Sequence, residues 1–413
     1  MNARLSRISQ FLALRRSTVG MFAMVLLVGM GEEMAERFLP IYLLAVGGSA
    51  MSIGVLQAMD NFLSALYSFP GGYLADRIGT RKALLVFNLM AMAGFAVVIL
   101  IPTWQAVLAG AVLFISWSAI SAPATLSLIY KVLPPDKRTM GVSMVSIMRR
   151  IPKGLGPLMG GLCIALWGER EGVRLAFIAA FVLALFAVVL QRRLIADDGP
   201  RARAAAGLAL PLVEKDPRRM FRLMSPEMRR LLFTDILVRF CEQIPYAFVV
   251  VWCMKSIPHP VTAVQFGVLS TIETVVALLC YIPVAHLADR GHKKRYVLIT
   301  FGFFALFPLV LLYSRSFEWL VVAFAVRGLK EFGEPTRKSL IMDLAPDHNK
   351  AAMFGLYYLI RDVVVSAAAL GGAYLWNVGP EVNLLAAFAF GVIGTITFAL
   401  FGKDARSSAA PRP

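Results

Sequence analysis

The sequence is poor in charged residues and in the residues that form disulfides or bind metals. Of its 413 residues only 16% are charged, and it contains four cysteines and four histidines. The cysteines show no paired spacing and the histidines lie in or near predicted loops, so we expect no disulfide framework and no metal site. The sequence also lacks a nucleophile-and-base set and a phosphate-binding loop. These absences argue against an enzyme, a resident cofactor or an ATP-driven process.

Apolar residues, by contrast, make up 58% of the chain, and the mean hydropathy is +0.70. Such values are typical of an integral membrane protein. A bilayer's hydrocarbon core is about 30 Å thick and needs roughly 20 apolar residues per spanning helix, so the chain has room for about a dozen spans. We predict the following spans, numbered 1 to 12 along the chain: 19–46, 52–73, 83–101, 105–130, 141–167, 174–196, 230–254, 263–286, 296–314, 318–343, 352–376 and 382–402.

The net charge of +17 is unevenly placed along the chain. Lysine and arginine cluster before span 1 and after the even-numbered spans, whereas the loops after odd-numbered spans hold only Arg170, Lys255 and Arg315. Because basic residues concentrate on the cytoplasmic side of membrane proteins, this pattern predicts cytoplasmic termini and an inner or plasma membrane location. Topology and attraction to anionic lipids account for the charge, and we do not expect a nucleic-acid partner.

The two halves of the chain repeat one another. The letters "LADR" occur at 74–77 and again at 287–290, and with an offset of 213 residues the stretch 53–77 aligns with 266–290. Six spans duplicated as six predict an all-α polytopic membrane protein of two pseudo-symmetric six-helix bundles, which is a transporter architecture. The predicted segments are a cytoplasmic N-terminal segment (1–18), a first bundle (19–196), a cytoplasmic linker (197–229), a second bundle (230–402) and a cytoplasmic tail (403–413).

The loop after span 2 carries the pattern Gly-x-x-x-Asp-Arg-x-Gly-x-Arg-Lys over residues 72–82, with a degraded copy after span 8. This pattern resembles the signature motif of the major facilitator superfamily of secondary transporters. The resemblance implies that Asp76 and the arginines fasten span 2 to span 11 and to the end of span 4, which closes the cytoplasmic gate. Arg81 is then expected to pair with Asp136. The predicted gating residues are Gly72, Asp76, Arg77, Gly79, Arg81, Asp136, Gly156, Pro157, Asp289 and Arg290.

Two further resemblances point to opposite directions of transport. "GLGPLMGG" (154–161) in span 5 resembles a motif of the antiporters and drug exporters of the superfamily, although span 4 lacks the arginine that many of the proton antiporters carry. The stretch Glu33-x-x-Glu36-Arg37 in span 1 resembles the E-x-x-E-R motif of proton-coupled peptide transporters, although that family's following aromatic pattern is replaced by "LPIY". The first resemblance favours export and the second favours import.

Away from their ends, the predicted spans contain ten acids and ten bases. A charge at the bilayer centre costs about 2.5–3.5 kcal/mol, so each is expected to face protein or a water-filled cavity and to have a partner. Helical spacing pairs several of them, and these pairs either neutralise a polar helix or contact substrate. The pairs are Glu33 with Arg37, Asp235 with Arg239, Arg239 with Glu242, Arg327 with Glu331, and Lys330 with Glu334. The predicted substrate-binding residues are Arg37, Arg149, Arg150, Arg239, Glu242, Lys330, Glu331, Glu334, Arg361 and Asp362.

Four acids are predicted to couple transport to protons, namely Glu33, Glu36, Asp60 and Glu273. Burial favours the neutral form of a carboxylate and a nearby cation favours the charged form, so a buried acid beside a movable base is able to take up and release a proton. Asp60 and Glu273 occupy equivalent positions in the two halves. For both, hydrogen bonding between neighbouring helices is an equally supported interpretation.

These patterns together predict a monomeric secondary transporter of a small organic solute, coupled to protons or alternatively to sodium, with export favoured. The main alternative is a proton-coupled symporter that imports a peptide-like or organic-anion solute. An alternative of another class is a membrane sensor or scaffold that has kept the fold and lost turnover. Costly charges retained inside the membrane argue against that last interpretation.

Overall fold

The structure is a computed structural model that describes residues 16–115, 117, 121, 125, 128, 135–195, 221–222, 224–289, 293–345 and 350–402. Within these ranges the side chains at 16, 68–77, 135–144, 146–147, 281–289 and 350–352 lie outside the described part. Every regular element described is a helix. In the first half the helices are α1 (Arg16–Glu36), α2 (Leu39–Ala45), α3 (Ala50–Ile78), α4 (Thr80–Leu100), α5 (Trp104–Phe114) and α6 (Pro135–Leu194).

The second half begins with α7 (Pro226–Tyr246) and the short α8 (Val249–Val251), which runs into a π-helical turn over Trp252–Ser256. Its other helices are α9 (Ala263–Asp289), α10 (Lys293–Tyr313), α11 (Phe317–Leu329), α12 (Glu334–Leu344), α13 (Lys350–Val378) and α14 (Pro380–Phe401). Seven described stretches are long and apolar enough to cross a membrane, and α7 with the bent segment Val249–Ser256 makes an eighth. The predicted fold class, an all-α polytopic membrane protein of two six-helix halves, is confirmed.

Predicted spans 5 and 6 lie in one continuous helical stretch, α6. The two helices meet at Gly168, whose φ of +79° is a conformation that glycine adopts at low cost. The predicted loop at 168–173 is therefore wrong, because the chain turns at a single residue. Two prolines, Pro152 and Pro157, lie inside the first part of α6, which corresponds to predicted span 5.

Spans 1, 7 and 10 are each broken into two helices. The breaks separate α1 from α2, α7 from α8 with a bend of 42°, and α11 from α12. A proline stands at each break: Pro40 opens α2, Pro245 ends α7, and α12 has proline within its first turn. Proline removes a backbone donor and clashes with the preceding turn, so a long apolar run is interrupted where it occurs. Sequence periodicity alone did not predict these breaks.

The repeat is visible in how glycines allow close helix packing. A Cβ on Gly160 of α6 would collide with the carbonyl of Met34 in α1, and a Cβ on Gly372 of α13 would collide with the carbonyl of Ile244 in α7. In sequence, the pair Gly160-Gly161 matches the pair Gly371-Gly372, 211 residues further along, so the two glycines belong to equivalent pairs of the two halves. Small residues at such positions let two spanning helices approach backbone to backbone.

Contacts divide the chain into two compact units. We call them the N unit, Met1–Leu210 with Val261–Thr271, and the C unit, Pro211–Pro260 with Ile272–Pro413. In the C unit, α7 packs against α13 and α14, and α10 packs against α14. Buried apolar residues such as Val238, Phe301 and Phe398 fill the space between these helices. The predicted segment boundaries stay predictions.

Candidate functional site

The C unit concentrates buried charges on α7, α9, α11, α12 and α13, together with the break after α11. Ten of these side chains contact one another in a chain of ion pairs, which we call the C-unit ion network. Acids and bases are balanced in it, so the network carries little net charge. Its members are Asp235, Arg239, Glu242, Glu273, Arg327, Lys330, Glu334, Arg337, Arg361 and Asp362.

Asp235 of α7 is the most buried acid of this network, with 1% of its side chain exposed. Its Oδ2 accepts hydrogen bonds from Arg337 of α12 and from the hydroxyl of Tyr357 in α13, the latter at 3.1 Å. Arg361 Nη1 lies 3.6 Å from the same oxygen. One carboxylate therefore holds α7, α12 and α13 together, in a place where water cannot replace a lost partner.

Glu242, two turns further along α7, is bound by two bases. Arg239 Nη1 lies 2.5 Å from Oε2, and Lys330 Nζ lies 2.7 Å from Oε1. Arg239 also reaches Glu334 Oε2 at 3.2 Å, and Glu334 accepts from Arg337 Nη2 at 2.6 Å. Both oxygens of Glu242 are therefore engaged, and the ion pairs run without interruption from the middle of α7 to the start of α12.

Arg361 and Asp362, neighbours on α13, are joined by a hydrogen bond of 2.7 Å from Arg361 Nε. The guanidinium of Arg361 also stacks on Tyr358, with 4.2 Å between Cζ and the ring centroid. Most predicted substrate-binding residues of the second half thus lie in one network with Asp235, and Glu331, on the same break as Lys330, is partly buried. Their role in substrate binding remains a prediction.

The structure supports some of the pairs expected from helical spacing and corrects others. Glu33 and Arg37 pair at 3.6 Å, and Arg239 pairs with both Asp235 and Glu242. Lys330 does not pair with Glu334, because the helix is interrupted between them and the spacing of a continuous helix no longer applies. Lys330 reaches Glu242 and Glu273 instead.

The four predicted proton-coupling acids have different surroundings. Glu273 Oε1 lies 3.4 Å from Arg327 Nε and 3.8 Å from Lys330 Nζ. Asp60, its counterpart in the first half, accepts hydrogen bonds from the neutral side chains of Gln57 at 3.4 Å and Ser64 at 3.3 Å. The two acids are equivalent in sequence, but only Glu273 has an arginine and a lysine as described ion-pair partners.

Glu36 in α1 lies in a group of acids of the N unit. It interacts electrostatically with Glu32, Glu33 and Asp60 and with the adjacent Arg37. Glu36 makes no hydrogen bond or ion pair with any residue that the structure describes, whereas Glu33 is paired with Arg37. Three of the four predicted proton-coupling acids, Glu33, Glu36 and Asp60, therefore interact within one region of the N unit.

The bases of the N unit stand near this group of acids. Arg149 Nη2 donates to the hydroxyls of Ser121 and Thr125 at 3.4 and 3.3 Å, and its charge interacts with that of Glu32. Lys153 interacts with Asp60. Arg150, which like Arg149 is predicted to bind substrate, is partly buried. The N unit therefore combines closely spaced acids with three bases that lie within about one turn of each other on α6.

Several polar residues that organise the structure were not among the predicted site residues. In the C unit these are Asp235, Arg337 and Tyr357, and in the N unit Asn88 accepts from Trp117 at 2.7 Å and donates to Gln191 at 2.8 Å. Asp235 and Arg337 were recognisable as charges inside spans. Their mutual contact was not, because 102 residues separate them.

Most predicted gating side chains fall outside the described residues. These are Gly72, Asp76, Arg77, Asp136, Asp289 and Arg290. Gly79 has a φ of +94° and ends α3, so it provides the turn between α3 and α4. Gly156 of α6 packs against Glu33 so closely that a Cβ would collide with it, and Pro157 is buried beside it. The predicted gate remains a prediction.

The basic residues that follow the two "LADR" copies make equivalent contacts in the two units. Arg81 Nη2 donates to the carbonyl of Arg192 at 2.6 Å, and Lys294 Nζ donates to the carbonyl of Ala399 at 2.9 Å. Each acceptor lies two residues before the end of its unit's last helix. Terminal carbonyls have no partner within the helix, and a cation favours that end of the helix dipole. The described contact of Arg81 is thus a helix cap.

Replacing Arg81 with glutamine is expected to lower the free energy of unfolding by about 0.3–1 kcal/mol, because the cap and its favourable charge are lost together. The measurement is thermal unfolding in detergent, together with hydrogen exchange of the amides at the end of α6. Lys82→Gln removes the same charge from an exposed neighbour and serves as control. Equal protection of these amides in Arg81→Gln and Lys82→Gln would contradict the capping role.

Comparison with models of protein families identifies the family of the chain. The model described as Major Facilitator Superfamily matches residues 21–257 and, in a second match, 231–413. The chain belongs to the Major Facilitator Superfamily. The expected membership of that superfamily is thereby confirmed, and the chain is a multi-pass membrane transporter.

Curated relatives of this superfamily member are similar over most of their length. The chain is 24% identical over 365 residues to the multidrug resistance protein MdtH of Sodalis glossinidius, covering 85% of this chain and 84% of the relative. It is 23% identical over 372 residues to the uncharacterized MFS-type transporter MJ1317 of Methanocaldococcus jannaschii, with 86% and 87% covered.

Solved structures share the fold. A mutant of the peptide transporter POT in complex with alafosfalin has a TM-score of 0.74 and 18% identity, covering 95% of this chain and 96% of that one. A mutant of the nucleoside transporter NupG has a TM-score of 0.76 and 14% identity, covering 94% and 100%. At such identities the similarity extends to the fold of the superfamily and no further.

Proposed function

We propose that this superfamily member exports a small organic solute across an inner or plasma membrane by alternating access, in exchange for protons. In such a mechanism the two six-helix halves rock around a site near the membrane midplane, so that the site opens to one side at a time. Protons moving down their gradient supply the free energy. No nucleotide is required.

The group of acids around Glu36 is the observation that carries the proton coupling. Glu36 lies near Glu32, Glu33 and Asp60 and has no described ion-pair partner. A carboxylate in this position is able to gain a proton when its surroundings are closed to water and to lose it when water or a base approaches. Asp60, held by neutral donors, is suited to accept that proton within the same unit.

Export is supported by the similarity to relatives named multidrug resistance proteins. This similarity extends along 85% of the chain, so it includes both halves. The glycine-proline stretch in α6, where Gly156 and Gly160 pack against Glu33 and Met34 of α1, agrees with it. In this arrangement the backbone of α6 lies directly against the acids that would carry protons.

Import by proton symport is a second candidate. It is supported by the acids at the end of α1 and the arginine that follows them, where Glu33 and Arg37 form an ion pair and Glu36 lies between them in sequence, as in the E-x-x-E-R pattern. Peptide transporters of the POT family also share the fold. The direction in which solute and protons move relative to each other distinguishes the two candidates.

The proposal is tested with purified protein in liposomes that contain a pH indicator. Organic anions, zwitterions and lipophilic cations are added outside, one class at a time, and protein-free liposomes serve as control. Antiport predicts that an imposed solute gradient drives protons in the opposite direction, and symport predicts the same direction. If no class moves protons but sodium-dependent solute uptake is seen, the proton proposal is wrong and sodium is the coupling ion.

A further inference from the structure

Arg327 of α11 has unusual surroundings for a buried base. Only 3% of its side chain is exposed, and Nε lies 3.4 Å from Glu273 Oε1. Three aromatic rings surround the guanidinium, with Cζ 5.5 Å from the centroid of Tyr246, 5.2 Å from Phe307 and 5.6 Å from Phe324. Aromatic faces stabilise a cation but accept hydrogen bonds poorly, so they do not satisfy the donors of this side chain.

A small pocket in the C unit opens beside Arg327. Its walls are mostly apolar and aromatic, formed by residues that include Tyr246, Phe304 and Phe307, while Arg327 and Lys330 provide positive charge. This combination of an apolar wall with a few convergent polar groups is typical of sites for organic ligands. Because the pocket is small, it suits a charged group with the adjoining part of a ring rather than a whole drug-sized molecule.

The acids and bases around the pocket are not equally engaged. Glu242 accepts from Arg239 and Lys330 with both oxygens, at 2.5 and 2.7 Å. Arg327, by contrast, carries five N–H donors, and its two Nη atoms make no hydrogen bond to a residue that the structure describes. The N–H groups of this pocket that have no described acceptor therefore belong to the Arg327 guanidinium. The geometry of a guanidinium matches the two oxygens of a carboxylate.

We propose that Arg327 binds the carboxylate of an amphipathic organic anion, whose apolar or aromatic body lies against Phe304, Phe307 and Tyr246. This inference deepens the proposed function by naming the substrate class, and it rests on that function. A cationic ligand is disfavoured at this pocket because the described bases hold both oxygens of Glu242. A neutral ligand would leave the Nη donors without an anionic partner.

The first test compares three probes that share one ring system and differ in charge. These are 2-naphthoate, the neutral 2-naphthamide and the cationic 2-naphthylmethylammonium, titrated calorimetrically into the full-length protein in detergent, with empty micelles as blank. We expect 2-naphthoate to bind at least about tenfold more tightly than the other two, since a charge-assisted bidentate contact contributes at least that factor. Equal binding of the anion and the amide would overturn the proposal.

The second test changes the arginine. Arg327→Gln is expected to weaken 2-naphthoate binding by about tenfold or more and to leave the amide unaffected. Arg327→Lys keeps the charge beside Glu273 and the rings but loses the planar fork, so we expect an intermediate loss of affinity for 2-naphthoate. Because the buried charge is retained, this variant also guards against the unfolding that Arg327→Gln could cause. Arg315→Gln removes a different cation from an aromatic ring, that of Trp252 at 5.3 Å. Neither residue lines the pocket, so this variant should bind like the wild type.

The outcomes separate this inference from the proposed function. If both Arg327 variants bind 2-naphthoate as the wild type does, the inference is wrong, even where another solute class drives protons across liposomes. If the Arg327 variants lose 2-naphthoate binding while no solute moves protons, the site stands and proton coupling fails. If binding of 2-naphthoate is absent in the wild type as well, the carboxylate site is wrong.

Discussion

Replacing Asp235 with asparagine is expected to lower the free energy of unfolding by about 3–5 kcal/mol. Asp235 is 1% exposed, it accepts from Arg337 and Tyr357, and Arg361 lies 3.6 Å away. Asparagine has nearly the same shape but no charge, so the buried guanidinium of Arg337 loses one of its two carboxylate partners. Removing one partner costs more free energy than the intact ion pair contributes, because the remaining charge stays buried with neither its partner nor water to solvate it. The measurement is denaturant or thermal unfolding of purified protein in detergent.

Two further variants show whether uncompensated charge is the cause. Lys338→Gln breaks an ion pair of 3.6 Å with Glu334 in which the lysine is 48% exposed, and a loss of about 0–1 kcal/mol is expected. The double variant Asp235→Asn with Arg337→Gln should lose less stability than the sum of its two single variants. Removing one acid together with one base keeps the charges of the network balanced, whereas each single variant leaves one charge in excess. If Asp235→Asn lowers the free energy of unfolding no more than Lys338→Gln does, the role assigned to Asp235 is contradicted.

The same network shows why part of the site was predictable from the sequence. Arg239 and Glu242 lie three residues apart within α7, and Arg37 directly follows the last residue of α1, four residues after Glu33, so helical geometry makes both pairs neighbours. Twelve spans and a six-plus-six repeat were predictable for a related reason. Hydrophobic run length and internal similarity are local properties of the chain, and they do not depend on which helices pack together.

Contacts between helices were not predictable in this way. The pairing of Asp235 with Arg337 joins residues 102 positions apart, and the pairing of Lys330 with Glu242 depends on a break between α11 and α12. The break itself follows from a glycine and a proline in sequence, Gly333 and Pro335, but its effect on the direction of the Lys330 side chain requires the structure. Periodicity describes a continuous helix and fails where the helix is interrupted.

The repeat also misleads when chemistry is transferred from one half to the other. Asp60 and Glu273 occupy equivalent positions, yet Glu273 lies beside Arg327 and Lys330, while Asp60 accepts hydrogen bonds from Gln57 and Ser64 and interacts electrostatically with Lys153. The difference arises because span 10 carries bases and the corresponding span 4 carries none between 105 and 130. Together, the two proposals assign proton coupling to one half of the duplicated fold and anion binding to the other.

This division of labour gives the second large effect, on Glu36. Glu36→Gln is expected to abolish accumulation driven by a pH gradient while leaving downhill solute exchange in place. One pH unit is worth about 1.4 kcal/mol per proton, so a one-proton exchange at zero membrane potential concentrates solute about tenfold at equilibrium. Glutamine has nearly the same shape as glutamate but cannot take up or release the proton, so the solute ratio should fall to about one. The measurement is solute accumulation in liposomes with an imposed pH difference.

The control must remove an acid without touching the group of acids. Glu171→Gln fits, because Glu171 is 57% exposed and pairs with Arg174 at 3.5 Å outside that group. It should accumulate solute like the wild type. Asp60→Asn identifies the partner: if it also abolishes accumulation, the proton is shared between Asp60 and Glu36, and if it does not, Glu36 carries the proton alone. Full accumulation in Glu36→Gln would exclude Glu36 as the coupling residue, because no group at that position would then change its protonation.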